Sequence, residues 1–135
     1  MKQITCITCP IGCRITVEYQ FNINQKDLHI TGNKCLKGID FARAEIISPV
    51  RSLTTTVRTT FPEVPVLSVK TKGEVPKEKI NVIIRELSDI MISEKIGIGE
   101  TVVSNIAGTG CDIIATSNKL KELMNVKTIL DCINY

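Results

Sequence analysis

Four cysteines near the N-terminus are the residues of this sequence best suited to chemistry. Cys6, Cys9 and Cys13 lie close together and Cys35 follows later, which gives the spacing C-x2-C-x3-C-x21-C. A cubane iron–sulfur cluster needs four thiolates, and a tight loop commonly supplies three of them while a remote segment supplies the last. The spacing therefore predicts one metal–sulfur centre on these residues, with a 4Fe–4S cluster as the expected occupant.

The residues around these thiols suit a loop that wraps on a cluster. Pro10 stiffens the loop, and Gly12 permits a backbone turn and a close approach of the backbone to a sulfide. Two further groups surround the thiols. The apolar set can shield the centre from water; it consists of Ile7, Ile11 and Leu36. The basic set can offset the charge of the thiolates; it consists of Arg14, Lys34 and Lys37.

Zinc is the main alternative, because it also takes four thiolates in a tetrahedron. Structural zinc usually draws two ligands from each of two C-x2-C knuckles, and only Cys6 and Cys9 form one here. Thiol redox chemistry is a further alternative, although no βαβ pattern surrounds the knuckle. We expect Cys111 and Cys132 to be buried or free thiols outside the ligand set, and His29 to be an exposed strand residue.

The composition argues against several broad classes of protein. The chain has 135 residues and a formal net charge of +3, and its basic residues are interspersed with acids, which does not favour nucleic-acid binding. No window approaches the roughly 20 apolar residues of a membrane span, and Cys6 comes too early for a signal peptide. We therefore expect a cytoplasmic protein, in which reduced thiols favour metal binding over disulfides.

The hydrophobic pattern predicts an α+β protein of two small lobes, residues 1–60 and 61–135. In the first lobe, alternation predicts a strand over Arg14–Phe21, a turn over 22–26 and a returning strand over Asp27–Thr31. Helical spacing follows over Leu36–Ile47, and Leu53–Thr60 is predicted to be an edge strand. The hairpin brings the fourth cysteine back to the first three.

The second lobe is predicted to begin at a stiff joint, Phe61–Pro65, followed by a strand over Val66–Thr71. An amphipathic helix is expected, with Pro76 at its first position and these apolar residues on one face: Ile80, Ile83, Ile84, Leu87, Ile90 and Met91. Two strands, Thr101–Ile106 and Asp112–Thr116, should form a hairpin turned by Gly108-Thr109-Gly110. The tail from Ser117 is predicted to be helical, with Ser117 or Asn118 as its cap.

The N-terminal half resembles the iron–sulfur domain at the N-terminus of molybdopterin-dependent oxidoreductases. The matching residues are Cys6, Cys9, Gly12-Cys13, Gly32, Cys35-Leu36-Lys37-Gly38 and the segment Ser48-Pro49-Val50-Arg51-Ser52-Leu53-Thr54. In that family the lysine after the fourth cysteine lies between cluster and pterin and aids electron transfer, so the resemblance implies this role for Lys37. No pterin binding is expected from this chain alone.

The chain as a whole more closely resembles a family of small proteins of unknown function that are encoded beside anaerobic glycerol-3-phosphate dehydrogenase and its flavin partner. The resemblance is carried by the four-cysteine lobe, Val64-Pro65-Val66, Pro76-Lys77-Glu78-Lys79-Ile80 and Gly108-Thr109-Gly110-Cys111-Asp112-Ile113-Ile114-Ala115-Thr116. It implies an iron–sulfur electron-transfer accessory of a flavoprotein dehydrogenase.

No catalytic motif is visible in the sequence, so we expect an electron-transfer subunit rather than an enzyme that acts alone. The alternative hypothesis is a zinc-binding assembly module without a redox role.

Overall fold

The computed structural model describes residues 1–18 and 28–123 and confirms the predicted α+β class. The chain divides into two compact units, Met1–Val50 and Arg51–Tyr135. The predicted second lobe starts ten residues later, at Phe61. The difference arises because the segment 61–65 is the turn of a hairpin within the second unit, where the strands on either side of it pair with each other.

The first unit contains a three-stranded antiparallel sheet. Its strands, in spatial order, are β1 (Lys2–Thr5), β2 (Arg14–Glu18) and β3 (His29–Thr31). Alternation on β2 buries Ile15 and Val17 completely, as the sequence predicts. The end of the predicted strand at 19–21 and the turn at 22–26 lie outside the described residues.

Helix α1 (Leu36–Ile47) packs on this sheet and has the bounds that the sequence predicts. Its buried residues are Gly38 and Ala42. A Cβ atom at Gly38 would lie 3.2 Å from Cδ1 of Ile15, so the small residue lets the first turn of the helix approach β2 closely. Strand β4 (Val50–Arg51) then crosses the boundary between the units.

The second unit is built on a five-stranded sheet of order β8-β5-β6-β10-β9. Its strands are β5 (Thr54–Thr59), β6 (Val66–Thr71), β8 (Met91–Ile92), β9 (Thr101–Val103) and β10 (Ile113–Ala115). The remaining elements are β7 (Val75–Pro76), α2 (Ile80–Asp89) and two 3₁₀ turns, Lys77–Lys79 and Ile106–Gly108. The β9–β10 hairpin is antiparallel, as predicted.

Three local predictions for the second unit are wrong. Strand β5 is not an edge strand, since Met91–Ile92 adds in parallel on its free side. Pro76 ends β7, and the α-helix starts only at Ile80 after the 3₁₀ turn. The helix ends at Asp89, so Ile90 and Met91 lie beyond it.

One apolar core fills the second unit. Helix α2 contributes Ile83 and Leu87, which are almost fully buried, whereas Ile84 is 44% exposed. Residues 119–123 are helical. Of the two predicted cap residues, Asn118 occupies the cap position, since its carbonyl oxygen accepts the first helical hydrogen bond, from the Glu122 N–H; the Ser117 hydroxyl accepts a hydrogen bond from the Lys119 N–H. No helix among residues 1–18 and 28–123 is long and apolar enough to cross a bilayer.

Candidate metal centre

The β1–β2 hairpin places Cys6 and Cys13 opposite each other. Thr5 pairs with Arg14 in the ladder, and the next backbone N–H, that of Cys6, donates to the carbonyl oxygen of Cys13 at 2.9 Å. Cys9 lies in the loop that this bond closes. The hairpin therefore holds three cysteines in one short loop at the end of the sheet.

Gly12 shapes that loop. Its N–H donates to the Cys9 carbonyl oxygen at 3.4 Å, and its φ of +60° lies in the left-handed region that glycine adopts at little cost. The turn reverses the chain between Cys9 and Cys13. This is the backbone role that the sequence predicts for Gly12.

Gly32 brings the fourth cysteine to the same end of the sheet. Its φ is +85°, and a Cβ atom there would lie 2.3 Å from the Arg14 carbonyl oxygen, a separation that no side chain can tolerate. The chain leaving β3 thus lies directly against the residue that follows Cys13. Cys35 comes three residues later. We call this end of the sheet, with Cys6, Cys9, Cys13 and Cys35, the cysteine end.

Cys35 stands at the N-terminus of α1. Its backbone is extended, with φ −154° and ψ 167°, and its side chain makes no capping hydrogen bond. The Asn33 side-chain amide donates to the Cys35 carbonyl oxygen at 3.2 Å. The N-terminus of a helix carries partial positive charge, which favours a bound anionic group at this position. The first turn contains no acidic residue to oppose this effect.

The four thiols differ in their access to solvent. Cys6 is buried and its Sγ lies 3.3 Å from Oγ1 of Thr8. Cys9 and Cys13 are half-buried, and Cys35 is exposed. A group bound here would be anchored on the sheet at Cys6 and open to water at Cys35.

Four cysteines are by their chemistry a donor set for a thiolate-bound metal or cluster, and all four lie in the first unit. The side chains are not arranged as a finished site: within the described ranges, no three Cys, His, Asp or Glu side chains are placed to hold a metal ion.

Two sets of exposed residues surround the cysteine end. Ile7, Ile11 and Leu36 are 73%, 61% and 78% exposed, and we call them the apolar collar. Arg14, Lys34 and Lys37 are also exposed, and we call them the basic rim. The sequence placed both sets around the thiols, but it could not show that the collar lies open to solvent.

The other candidate ligands lie elsewhere. His29 is exposed on β3 and pairs with Glu18, at the opposite end of the sheet from the cysteines. Cys111 is buried in the core of the second unit, with its Sγ 3.6 Å from the Asp112 carbonyl oxygen. Both placements agree with their predicted roles, and Cys132 lies outside the described residues.

Comparison with known proteins identifies the family. A model for a protein family of unknown function, DUF1667, matches residues 36–117. The chain belongs to DUF1667. The match begins directly after Cys35, so this DUF1667 segment includes Lys37 and every buried core residue of the second unit except Leu120, but not the four cysteines.

One solved structure is similar to this DUF1667 protein. It is an NMR structure of a Clostridium perfringens protein from a structural genomics programme, with 31% sequence identity. The similarity covers 50% of this chain and 80% of the other, with a TM-score of 0.46. No curated protein matches the chain.

Proposed function

We propose that the chain holds one 4Fe–4S cluster on Cys6, Cys9, Cys13 and Cys35 and serves as an electron-transfer accessory of a flavoprotein dehydrogenase. The observation that carries this proposal is the fold of the cysteine end. Two backbone contacts support it: the hydrogen bond from Cys6 to Cys13 closes the loop that carries three cysteines, and Gly32, three residues before Cys35, lies against Arg14.

The surroundings of the thiols support an anionic centre. The helix N-terminus at Cys35 and the three cations of the basic rim all favour negative charge at this place. Neither 6–13 nor 32–39 contains an Asp or Glu. Four thiolates and a cluster carry a net negative charge, so the protein supplies opposite charge where it is needed.

An electron-transfer role is supported by access and by family resemblance. When bound, a 4Fe–4S cluster stores and releases one electron. Exposed Cys35 and neighbouring Lys37 would leave one side of the centre within reach of a partner. The flavoprotein dehydrogenase, with anaerobic glycerol-3-phosphate dehydrogenase as the specific candidate, is proposed on the resemblance of the sequence and of Lys37 to the families described above.

The test is anaerobic purification of the full chain followed by iron and acid-labile sulfide analysis. We expect about four irons and four sulfides per chain, as the cubane stoichiometry requires, and a brown colour that bleaches with dithionite. Cys13→Ser and Cys35→Ser should each lose the cluster. The matched variant Cys111→Ser should retain it, and loss of iron in that variant would contradict the ligand assignment.

Zinc is the second candidate, and the small apolar core of the first unit favours it. Among the described residues of that unit, the buried apolar side chains are those of Cys6, Ile15, Val17 and Ala42. So small a core gains much from a structural metal. Stoichiometric zinc with no iron after anaerobic reconstitution would decide for this candidate and against the cluster.

A further inference from the structure

The apolar collar is unusual because three large apolar side chains stand open beside the candidate metal centre. Each collar residue neighbours a ligand: Ile7 follows Cys6, Ile11 lies between Cys9 and Cys13, and Leu36 follows Cys35. Exposed apolar side chains are common singly, but a group of them at a functional site marks a binding surface.

The basic rim indicates the charge of the partner. Arg14 lies beside the hairpin loop, because it pairs with Thr5 at the last ladder position before Cys6. Lys34 and Lys37 flank Cys35 on the other side. An apolar centre with a charged periphery is the usual arrangement of a protein interface, and cations at the periphery attract a partner with acidic residues at the matching positions.

We propose that the cysteine end, with its apolar collar and basic rim, is the docking surface for a protein whose redox group is surrounded by acidic side chains. This inference rests on the proposed electron-transfer function and names the partner by its surface. Docking there brings the two redox groups together and lets one electron pass between them, so that one group is oxidised as the other is reduced.

Two other occupants fit the surface less well. A second copy of the chain would bring one basic rim against another and be repelled. A membrane would attract the cations, but stable attachment needs a helix with a free apolar face or a lipid chain, and the buried residues of α1, Gly38 and Ala42, pack within its own unit.

The test measures binding rather than electron transfer. The full chain, purified anaerobically, is titrated onto an immobilised flavodoxin, an acidic protein with FMN at its surface, by biolayer interferometry at low and high salt. Binding should be detectable at low salt and weaken as salt screens the charges. Lys34→Glu/Lys37→Glu should weaken it about tenfold or more, whereas Lys70→Glu/Lys95→Glu, with the same change in net charge, should bind as the parent does.

A second pair of variants tests the collar. Ile11→Ser should weaken binding, and Ile98→Ser should not, although the two isoleucines are 61% and 60% exposed. Iron content of each variant is measured to show that the cysteine end is intact. Equal affinities within either matched pair, or no binding of the parent chain, would overturn the proposal.

Two further outcomes identify the alternatives. Binding to vesicles of anionic lipid but not to flavodoxin would assign the surface to a membrane, and concentration-dependent dimerisation lost in Ile11→Ser would assign it to a second copy. A chain that holds zinc yet binds flavodoxin through this surface would disprove the cluster while leaving the docking surface in place. The two proposals can therefore fail separately.

Discussion

At the scale of single residues, Gly32 decides where the fourth cysteine lies. Replacing it with Ala would drive a methyl group to within 2.3 Å of the Arg14 carbonyl oxygen. The backbone must move, and we expect loss of cluster binding together with destabilisation of the first unit by more than the 1–2 kcal/mol that a left-handed non-glycine residue costs. Iron content and thermal unfolding measure both effects.

Gly99→Ala is the matched control for that prediction. Gly99 has a similar φ of +79° but open space where a Cβ would stand, so the variant should show only the conformational cost and keep its iron. Equal iron content in the two variants would mean that the Gly32 contact does not position Cys35. The spacing of the cysteines predicts the ligand set, but this contact between segments distant in sequence could not be predicted from it.

At the scale of elements, the local hydrophobic pattern predicted the main helices and strands, but it did not predict which strands pair with each other. The alternation in 54–59 identifies β5 and its buried face, but it cannot show that a two-residue strand after α2 will pair with it. Likewise, helical spacing groups Ile84 with Ile83 and Leu87. Only the direction from which the sheet meets α2 determines that Ile84 stays partly exposed.

Helix α2 offers a direct test of that difference. Leu87→Ala removes a side chain that is 2% exposed and should destabilise the second unit by about 2–5 kcal/mol through lost burial and a cavity. Ile84→Ala removes a similar side chain from a partly exposed position and should cost about 1 kcal/mol or less. Urea denaturation measures both, and equal losses would show that Ile84 is as well packed as Leu87.

Glu100 links the loop at Gly97 to the helical segment 119–123. Its carboxylate accepts a short hydrogen bond from the Lys121 ammonium and another from the Gly97 N–H, and these partners, Lys121 first, lower the pKa of Glu100. The contact should therefore be fully present above the ordinary pKa of Glu and be lost as pH falls through the lowered value.

The pH dependence can be measured by NMR titration of the Glu100 carboxyl. Its midpoint should lie below that of an unperturbed Glu, and Lys121→Met should raise it. A midpoint unchanged by that substitution would mean that the Lys121 contact is not maintained in solution. Since the pair is exposed to solvent, we expect the effect on global stability to be small.

At the scale of the whole molecule, the two units differ in the size of their apolar cores. The second has a large apolar core, whereas the first buries few apolar side chains among its described residues. Removing the proposed metal with a chelator should therefore unfold the first unit and leave the second folded. Hydrogen exchange should show loss of protection in β2 and retained protection in β6; equal losses in both would contradict this independence.

The segment that matches the family is not a folding unit by itself. Residues 36–117 begin at α1, yet the buried side of that helix packs on β2, which precedes the matched segment. A fragment cut at residue 36 would carry the helix without its strand and expose Phe41 and Ile46, which pack against the first core. Such a fragment should be aggregation-prone, so expression that aims at a well-behaved sample should start at Met1.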